Sequence, residues 1–215
     1  MKKARIIIAD DHDLFRRGVK ATIGDVPEWT VVAEASDGQE AVRLAGSLSP
    51  DVAILDMSMP LLNGLEAARQ ILAIAPGTRV LMLTAHDSEQ LVREVLDAGA
   101  HGYLLKSDAG RLLVTALEAL LDDRPFFTTK VAQMLVEGYL HRRDAGVTES
   151  SRLSPRERHI VQLLAEGQSN KEVARTLEIS VKTVETHRSN IMRKMGFASL
   201  SDLVRYAIRN RIVEP

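Results

Sequence analysis

Two adjacent aspartates, Asp10 and Asp11, close the apolar run in "RIIIADD", and a third, Asp56, closes "DVAILD". Thr84 ends "RVLMLT" and Lys106 ends "GYLLK". A carboxylate at the end of a buried run is costly unless it has a partner or a task. If these runs are strands of one parallel sheet, three carboxylates, a hydroxyl and an ammonium meet at its carboxyl edge, where such sheets bind ligands. Three carboxylates repel one another, so the cleft should recruit a cation. All the candidate ligands are oxygens, which suits a hard ion such as Mg2+. A carboxylate neutralised in this way can attack phosphorus, with Lys106 offsetting the phosphoryl charge and Thr84 donating to its oxygens. Each residue alone has an ordinary explanation as a turn residue, a solvated lysine or a β-branched strand end. Their joint occurrence at four strand ends outweighs it.

The elements that must position these groups are legible in the first 121 residues. Strands are expected at Arg5–Ala9, Thr30–Glu34, Val52–Leu55, Arg79–Thr84 and Gly102–Leu105. Helical patterns follow at Leu14–Ile23, Gly38–Leu48, Gly64–Ala75, Ser88–Ala98 and Ala109–Leu121, and Asp37 with Glu40 has capping-box spacing. Strands that are apolar throughout and alternate with helices imply a parallel sheet covered on both faces. The expected fold is a doubly wound α/β domain of five strands over residues 1–121; if the strand order is 2-1-3-4-5, the first and third strands flank the switch point.

Residues 122–152 break the pattern and read as a linker with a helical first half, in "VAQMLVEGYL". From 153 to 215 the chain reads as a small all-α domain of four helices, Pro155–Glu166, Asn170–Leu177, Val181–Met195 and Leu200–Arg209. Ser154 with Glu157, Ser169 with Glu172 and Ser199 with Asp202 supply caps, and Gly167 and Gly196 supply stops. The second and third of these helices, three residues apart, have helix-turn-helix spacing. Val184, Ile191 and Met195 should face the core, leaving Lys182, Thr183, Glu185, Thr186 and Ser189 outward, with Arg188 and Arg193 towards the flanks. Lys171, Lys182, Arg188 and Arg193 suit phosphates, Glu185 could accept from cytosine, and the hydroxyls are permissive. A plain helical hairpin with a solvated charged face would show the same charges, and on the charges alone it is the better reading.

Composition narrows the classes. The chain has 215 residues, 45% of them hydrophobic, and no cysteine, which removes disulfides, thiolate metal sites and cysteine nucleophiles. Residues 148–215 hold 12 Lys/Arg against 8 Asp/Glu, and the preceding residues 16 against 21. Opposite signs in the two halves suggest different partners, the basic half facing nucleic acid. The apolar run near the start is too short for a signal core and no run spans a bilayer, so a cytoplasmic protein without a membrane partner is expected.

The first ~120 residues resemble a response-regulator receiver domain, through "IIIADDH", "DVAILDMSMPLLNGLEAA", "VLMLTAHD" and "AGAHGYLLK". "LSPRERHIVQLLAEGQSNKEVARTLEISVKTVETHRSNIMRKMG" resembles the LuxR-type DNA-binding domain of the NarL/FixJ class. The resemblance implies Asp56 as phosphoacceptor, and Asp11, Asp56 and the Ser58 carbonyl as Mg2+ ligands, with Asp10 acting mostly through water. It also implies Thr84 and Tyr103 as a switch pair and Lys106 as the phosphoryl contact. The partners would be a sensor histidine kinase and promoter DNA, with the chain a homodimer when phosphorylated. Lys106-Ser107 stands where many receivers have Lys-Pro, Ser58 and His86 flank the site, and Glu185 replaces a lysine found in some relatives.

Two other functions fit part of the pattern. A haloacid-dehalogenase phosphatase also uses an aspartate after a strand, but it needs an acid two residues on, where Ser58 stands. A phosphorylation-independent DNA binder with a receiver used only for dimerisation has no use for the full set Asp10, Asp11, Asp56, Thr84 and Lys106. Enzymatic turnover beyond self-phosphorylation and self-dephosphorylation at Asp56 is therefore not expected.

Overall fold

The computed structural model describes residues 3–85, 89–128, 131, 153–210 and 212–213, without the side chains of Glu89 and Gln90. His86 and most of the expected linker helix lie outside the described residues. Six strands, β1 (Ala4–Ala9), β2 (Trp29–Ala35), β3 (Val52–Asp56), β4 (Arg79–Thr84), β5 (Gly102–Leu105) and β6 (Phe126–Phe127), form one sheet in the order β2-β1-β3-β4-β5-β6. All neighbouring pairs are parallel. The helices between them are α1 (Asp13–Gly24), α2 (Gly38–Leu48), α3 (Gly64–Ile74), α4 (Glu89–Asp97) and α5 (Lys106–Leu121).

Period-2 alternation splits the strand residues between two cores. Ile7, Ala9, Ala53, Leu55, Val80 and Met82 pack with α2, α3 and α4. Ile6, Ile8, Val52, Ile54, Leu81 and Leu83 pack with α1 and α5. Because β3 is buried along its whole length, truncating Ile54 to alanine would cost about 2–5 kcal/mol. The sheet thus follows the expected 2-1-3-4-5 order and adds a strand.

That extra strand corrects the reading of residues 122–152 as linker from their start. Phe126 and Phe127 pair with Gly102 and Tyr103. Two residues are too few to show a periodicity; what places them is the turn after α5, where Asp123 takes φ 58° and Arg124 N–H donates to the Ala119 carbonyl at 2.8 Å. The expected capping box at α2 is only half present. Asp37 accepts from Glu40 N–H, but Glu40 reaches back to Ser36 N–H, at 3.4 Å, not to Asp37.

Among the described residues, four helices follow: α6 (Pro155–Ala165), α7 (Asn170–Thr176), α8 (Val181–Met195) and α9 (Leu200–Arg209). Reciprocal capping boxes open α6, α7 and α9 at Ser154, Ser169 and Ser199. Gly196 ends α8 at φ 67°, a conformation that costs glycine little. Ile160, Leu163, Leu164, Val173, Val184, Ile191, Leu203 and Ala207 make a third, separate core. This helical unit rests on the loop between β3 and α3 through α6, and Arg158 pairs with Glu94 of α4 at 3.2 Å.

Candidate functional site

The register of the sheet builds the acidic cleft. Ala9 stands level with Leu55 across the β1–β3 pair, so the next residues, Asp10 and Asp56, emerge side by side. Asp56 is level with Leu83, and Thr84 with Leu105, which brings Thr84 and Lys106 to the same edge. Gly64, the first residue of α3, lets this helix approach β3 closely, because a Cβ there would collide with the Asp56 carbonyl.

Asp10 is 1% exposed and Asp56 3% exposed, so neither carboxylate is solvated in the ordinary way. Lys106 Nζ lies 2.9 Å from Asp10 Oδ2 and 2.9 Å from Asp56 Oδ2. The remaining oxygens take backbone donors: His12 N–H reaches Asp10 Oδ1 at 2.8 Å, and Met57 N–H reaches Asp56 Oδ1 at 2.8 Å. The ammonium also sits over the Phe15 ring, 4.8 Å from its centroid. Burial first, and then repulsion from Asp10, push the Asp56 carboxyl up to about 7 despite the opposing pull of Lys106. Burial alone would push Lys106 down, but its bonds to Asp56 and Asp10 outweigh this and hold it above its ordinary value.

Asp11 is exposed at the rim and Ser58 half-buried, while Thr84 is buried at the end of β4. Tyr103 is fully buried, its side chain packed in the core shared with α3 and α4. No peptide bond among the described residues is cis, so Lys106–Ser107 is trans.

The second candidate site is the outer face of α8. Val184 and Ile191 are buried and Met195 packs against the same core, which turns Lys182, Thr183, Glu185, Thr186, Ser189 and Arg193 to solvent. Lys171, on α7, is exposed beside them. Arg188 is half-buried and reaches Asn170 Oδ1 at 3.5 Å. Arg188, Ser189, Met192 and Arg193 line an open groove with Asn170 and Phe197. Two hydroxyls are already engaged: Thr183 Oγ1 lies 2.8 Å from Ser180 Oγ, and Thr186 Oγ1 donates to the Lys182 carbonyl at 2.9 Å.

Residues 6–118 match the response regulator receiver domain family, and residues 151–207 match the luxR family of bacterial regulatory proteins. The chain belongs to the two-component response regulators. It is 37% identical to the transcriptional regulatory protein DegU of Brevibacillus brevis, over 97% of this chain and 94% of that one. It is 36% identical to LiaR of Bacillus subtilis, over 97% and 99% of the two chains. Among solved structures, the Salmonella typhimurium RcsB response regulator aligns with a TM-score of 0.67 at 28% identity, over 96% of this chain and 97% of that one. A second RcsB structure, from Salmonella enterica serovar Typhimurium, is bound to promoter DNA in the presence of BeF3−; its TM-score is 0.60 at 28% identity, over 95% of this chain and 98% of that one.

The response regulator brings together residues that the sequence left apart. His12 shows no ligand spacing in the sequence, yet its Nδ1 lies 2.8 Å from Asp11 Oδ1 and 3.3 Å from Asp10 Oδ1. Asp10, Asp11, His12 and Asp56 each offer one atom to a volume in which all four lie within 4.8 Å of one another. The signal for His12 was only its adjacency to the aspartate pair. The donor set fits a hard divalent cation: carboxylate oxygens dominate, and buried Asp10 Oδ2 has the Lys106 ammonium at 2.9 Å as its one partner among the described residues. His159 and Gln162 of α6 and Asn63 of the β3–α3 loop also escaped the sequence reading. A buried helix face looks the same whether it meets its own domain or another.

Proposed function

We propose that Asp56 of this response regulator accepts a phosphoryl group from the phosphohistidine of a sensor histidine kinase. The observation that carries the proposal is Lys106 Nζ at 2.9 Å from both Asp10 and Asp56, at the carboxyl edge of the sheet. A carboxylate oxygen of Asp56 attacks phosphorus, the phosphorus–nitrogen bond breaks, and the imidazole keeps the electron pair and takes up a proton. Mg2+, held by Asp10, Asp11, Asp56 and the Ser58 carbonyl, would supply charge neutralisation in the cleft. Lys106 exchanges its contact with the Asp56 carboxylate for the phosphoryl oxygens, and Thr84 moves to hydrogen-bond them. Tyr103, whose ring is already buried in this structure, repacks with Thr84, changing the surface of the receiver, residues 1–121.

Within residues 122–152, the part after strand β6 then links this receiver to a DNA-binding domain of residues 153–215. Its α8 enters the major groove, with Lys171, Lys182, Arg188 and Arg193 on phosphates and Thr183, Glu185, Thr186 and Ser189 near base edges. Phosphorylated chains pair as homodimers and read two half-sites of promoter DNA. The protein acts in the cytoplasm, and its chemistry is confined to gain and loss of the phosphoryl group at Asp56. That no helix is long and apolar enough to cross a membrane, among the described residues, supports this location.

Full-length protein and Asp56→Asn, incubated with acetyl phosphate and Mg2+, test the reading. The wild type should gain the mass of one phosphoryl group, dimerise and bind promoter DNA more tightly, and the variant should do none of these. Equal labelling or equal gain in DNA binding by the variant would remove Asp56 from the switch.

A further inference from the structure

The carbonyl of Ser58 lies between two neighbours that are each tied down, and the two ties come from different domains. On one side the Met57 carbonyl accepts from Gly64 N–H at 2.9 Å, a bond inside the receiver. On the other side the Met59 carbonyl accepts from Gln162 Nε2 of α6 at 2.9 Å. Gln162 is 0% exposed, and its amide is fully used. Oε1 accepts from Asn63 N–H at 2.9 Å and from Asn63 Nδ2 at 3.0 Å, and Nε2 also donates to Glu166 Oε1 at 2.8 Å. Two donors and two acceptors are satisfied. The amide has only one orientation here, because a backbone carbonyl must face its nitrogen and a backbone N–H its oxygen.

Further bonds hold the same loop against α6. Leu61 takes φ 64°, an uncommon conformation for a bulky residue. Its carbonyl accepts from His159 Nε2 at 2.7 Å, and its N–H lies 3.4 Å from Glu166 Oε2. The loop that follows Asp56 is therefore shaped by the DNA-binding domain at three alternate backbone positions, Met59, Leu61 and Asn63. The outer face of α8 remains exposed in the same arrangement, so this contact does not hide it.

We infer that Gln162 is a positioning residue for the receiver site: by fixing the Met59 carbonyl it holds the Ser58 peptide in place for the cation. The inference rests on the proposed role of the Ser58 carbonyl as a metal ligand. A ligand held before the ion arrives loses less freedom on binding, so the docked chain binds Mg2+ more tightly than the undocked one. Coupling is reciprocal, so Mg2+ favours docking by the same factor. The DNA-binding domain thus sets the metal affinity of its own receiver.

Calorimetric titration of the full chain with Mg2+ tests this, with X-ray scattering of the same samples to read docking. Gln162→Leu keeps the volume of the side chain and removes its hydrogen bonds. Asn63→Asp keeps the acceptor that caps α3 for Glu66 N–H but sets a carboxylate against Gln162 Oε1. Both variants should bind Mg2+ about tenfold more weakly, the lower end of what loss of an outer-shell partner costs a metal site. Added Mg2+ should reduce the radius of gyration of the wild type and leave that of the variants larger. If circular dichroism shows that Gln162→Leu fails to fold, Asn63→Asp carries the test alone. Wild-type affinity in the folded variants, or tighter binding, would overturn the role of Gln162. Absence of Mg2+ binding in the wild type would overturn the metal reading of the acidic cleft, and the coupling with it.

Discussion

Lys106 Nζ stands 2.9 Å from Asp56 Oδ2 and is 2.9 Å from Asp10 Oδ2 as well, so one ammonium holds two nearly buried carboxylates together. On the proposed function, replacing it should change metal binding and phosphoryl transfer in opposite directions. In Lys106→Met the apolar stem still packs on Phe15, but a unit charge next to the cation site is gone. A charge about 4 Å away contributes ~4 kcal/mol at an effective dielectric of 20, so Mg2+ should bind at least tenfold more tightly. Labelling by acetyl phosphate should slow at saturating Mg2+, because nothing then offsets the phosphoryl oxygens. Weaker Mg2+ binding in Lys106→Met would contradict this electrostatic account.

Asp56 gives the metal-free protein a pH dependence of definite sign. Its carboxyl is raised to about 7 in the folded chain, by burial first and by Asp10 second, from an ordinary value of 3.8. The folded state therefore holds a proton that the unfolded chain releases, and this contribution to stability is complete below pH 3.8. It is lost as pH rises to about 7, and amounts to roughly a few kcal/mol over the window. In EDTA, the difference in stability between wild type and Asp56→Asn should shift in favour of Asn as pH rises from 5 to 8. A constant difference across that range would show that Asp56 titrates normally.

His159 confers a second pH dependence, on docking. Burial is the main cause that lowers its pKa, and the nearby Arg156 adds to it; the Leu61 carbonyl and Glu66 act in the opposite direction without reversing it. The docked state keeps the imidazole neutral, so docking is fully favoured above the free value of ~6.5 and weakens as pH falls below it. Glu166 opposes this at more acid pH, since burial raises its carboxyl and favours docking with the proton bound. Between pH 7.5 and 5.5 the scattering-derived radius of the metal-free chain should therefore increase. His159→Gln, which retains a donor for the Leu61 carbonyl, should abolish that increase.

Lys182 is exposed at the start of α8 and pairs with no carboxylate among the described ion pairs. A residue that neutralises one phosphate contributes about one counterion to the salt dependence of binding. Lys182→Ala should weaken binding to promoter and unrelated duplexes alike, and flatten the plot of log affinity against log salt by about 0.9 per chain. A loss confined to one sequence would assign Lys182 to base recognition instead.

Local chemistry and short-range pattern were enough to place most of the machinery. Apolar runs ending in Asp10, Asp56, Thr84 and Lys106 were visible because a buried parallel strand leaves a continuous hydrophobic signal and an abrupt polar stop. The caps at Ser154, Ser169 and Ser199 were visible because a helix start is settled within four residues. Asp37 shows the limit of that reasoning, since the Glu40 carboxylate chose the neighbouring Ser36 N–H.

The sequence alone determined the alternation of buried strands with helices, the acidic edge and the solvent face of α8, since each follows from periodicity and from which residues can be buried; the order of the strands was decided by the fold. Tertiary structure alone decided that Phe126 and Phe127 extend the sheet, that the His12 ring reaches Asp11, and that Gln162 closes on Met59 and Asn63. Pairings across 99 and 103 residues leave no periodic trace, because a glutamine on a buried helix face has the same neighbours in sequence whatever it meets in space. Only the packing of α6 on the β3–α3 loop reveals that the DNA-binding domain touches the segment that follows Asp56.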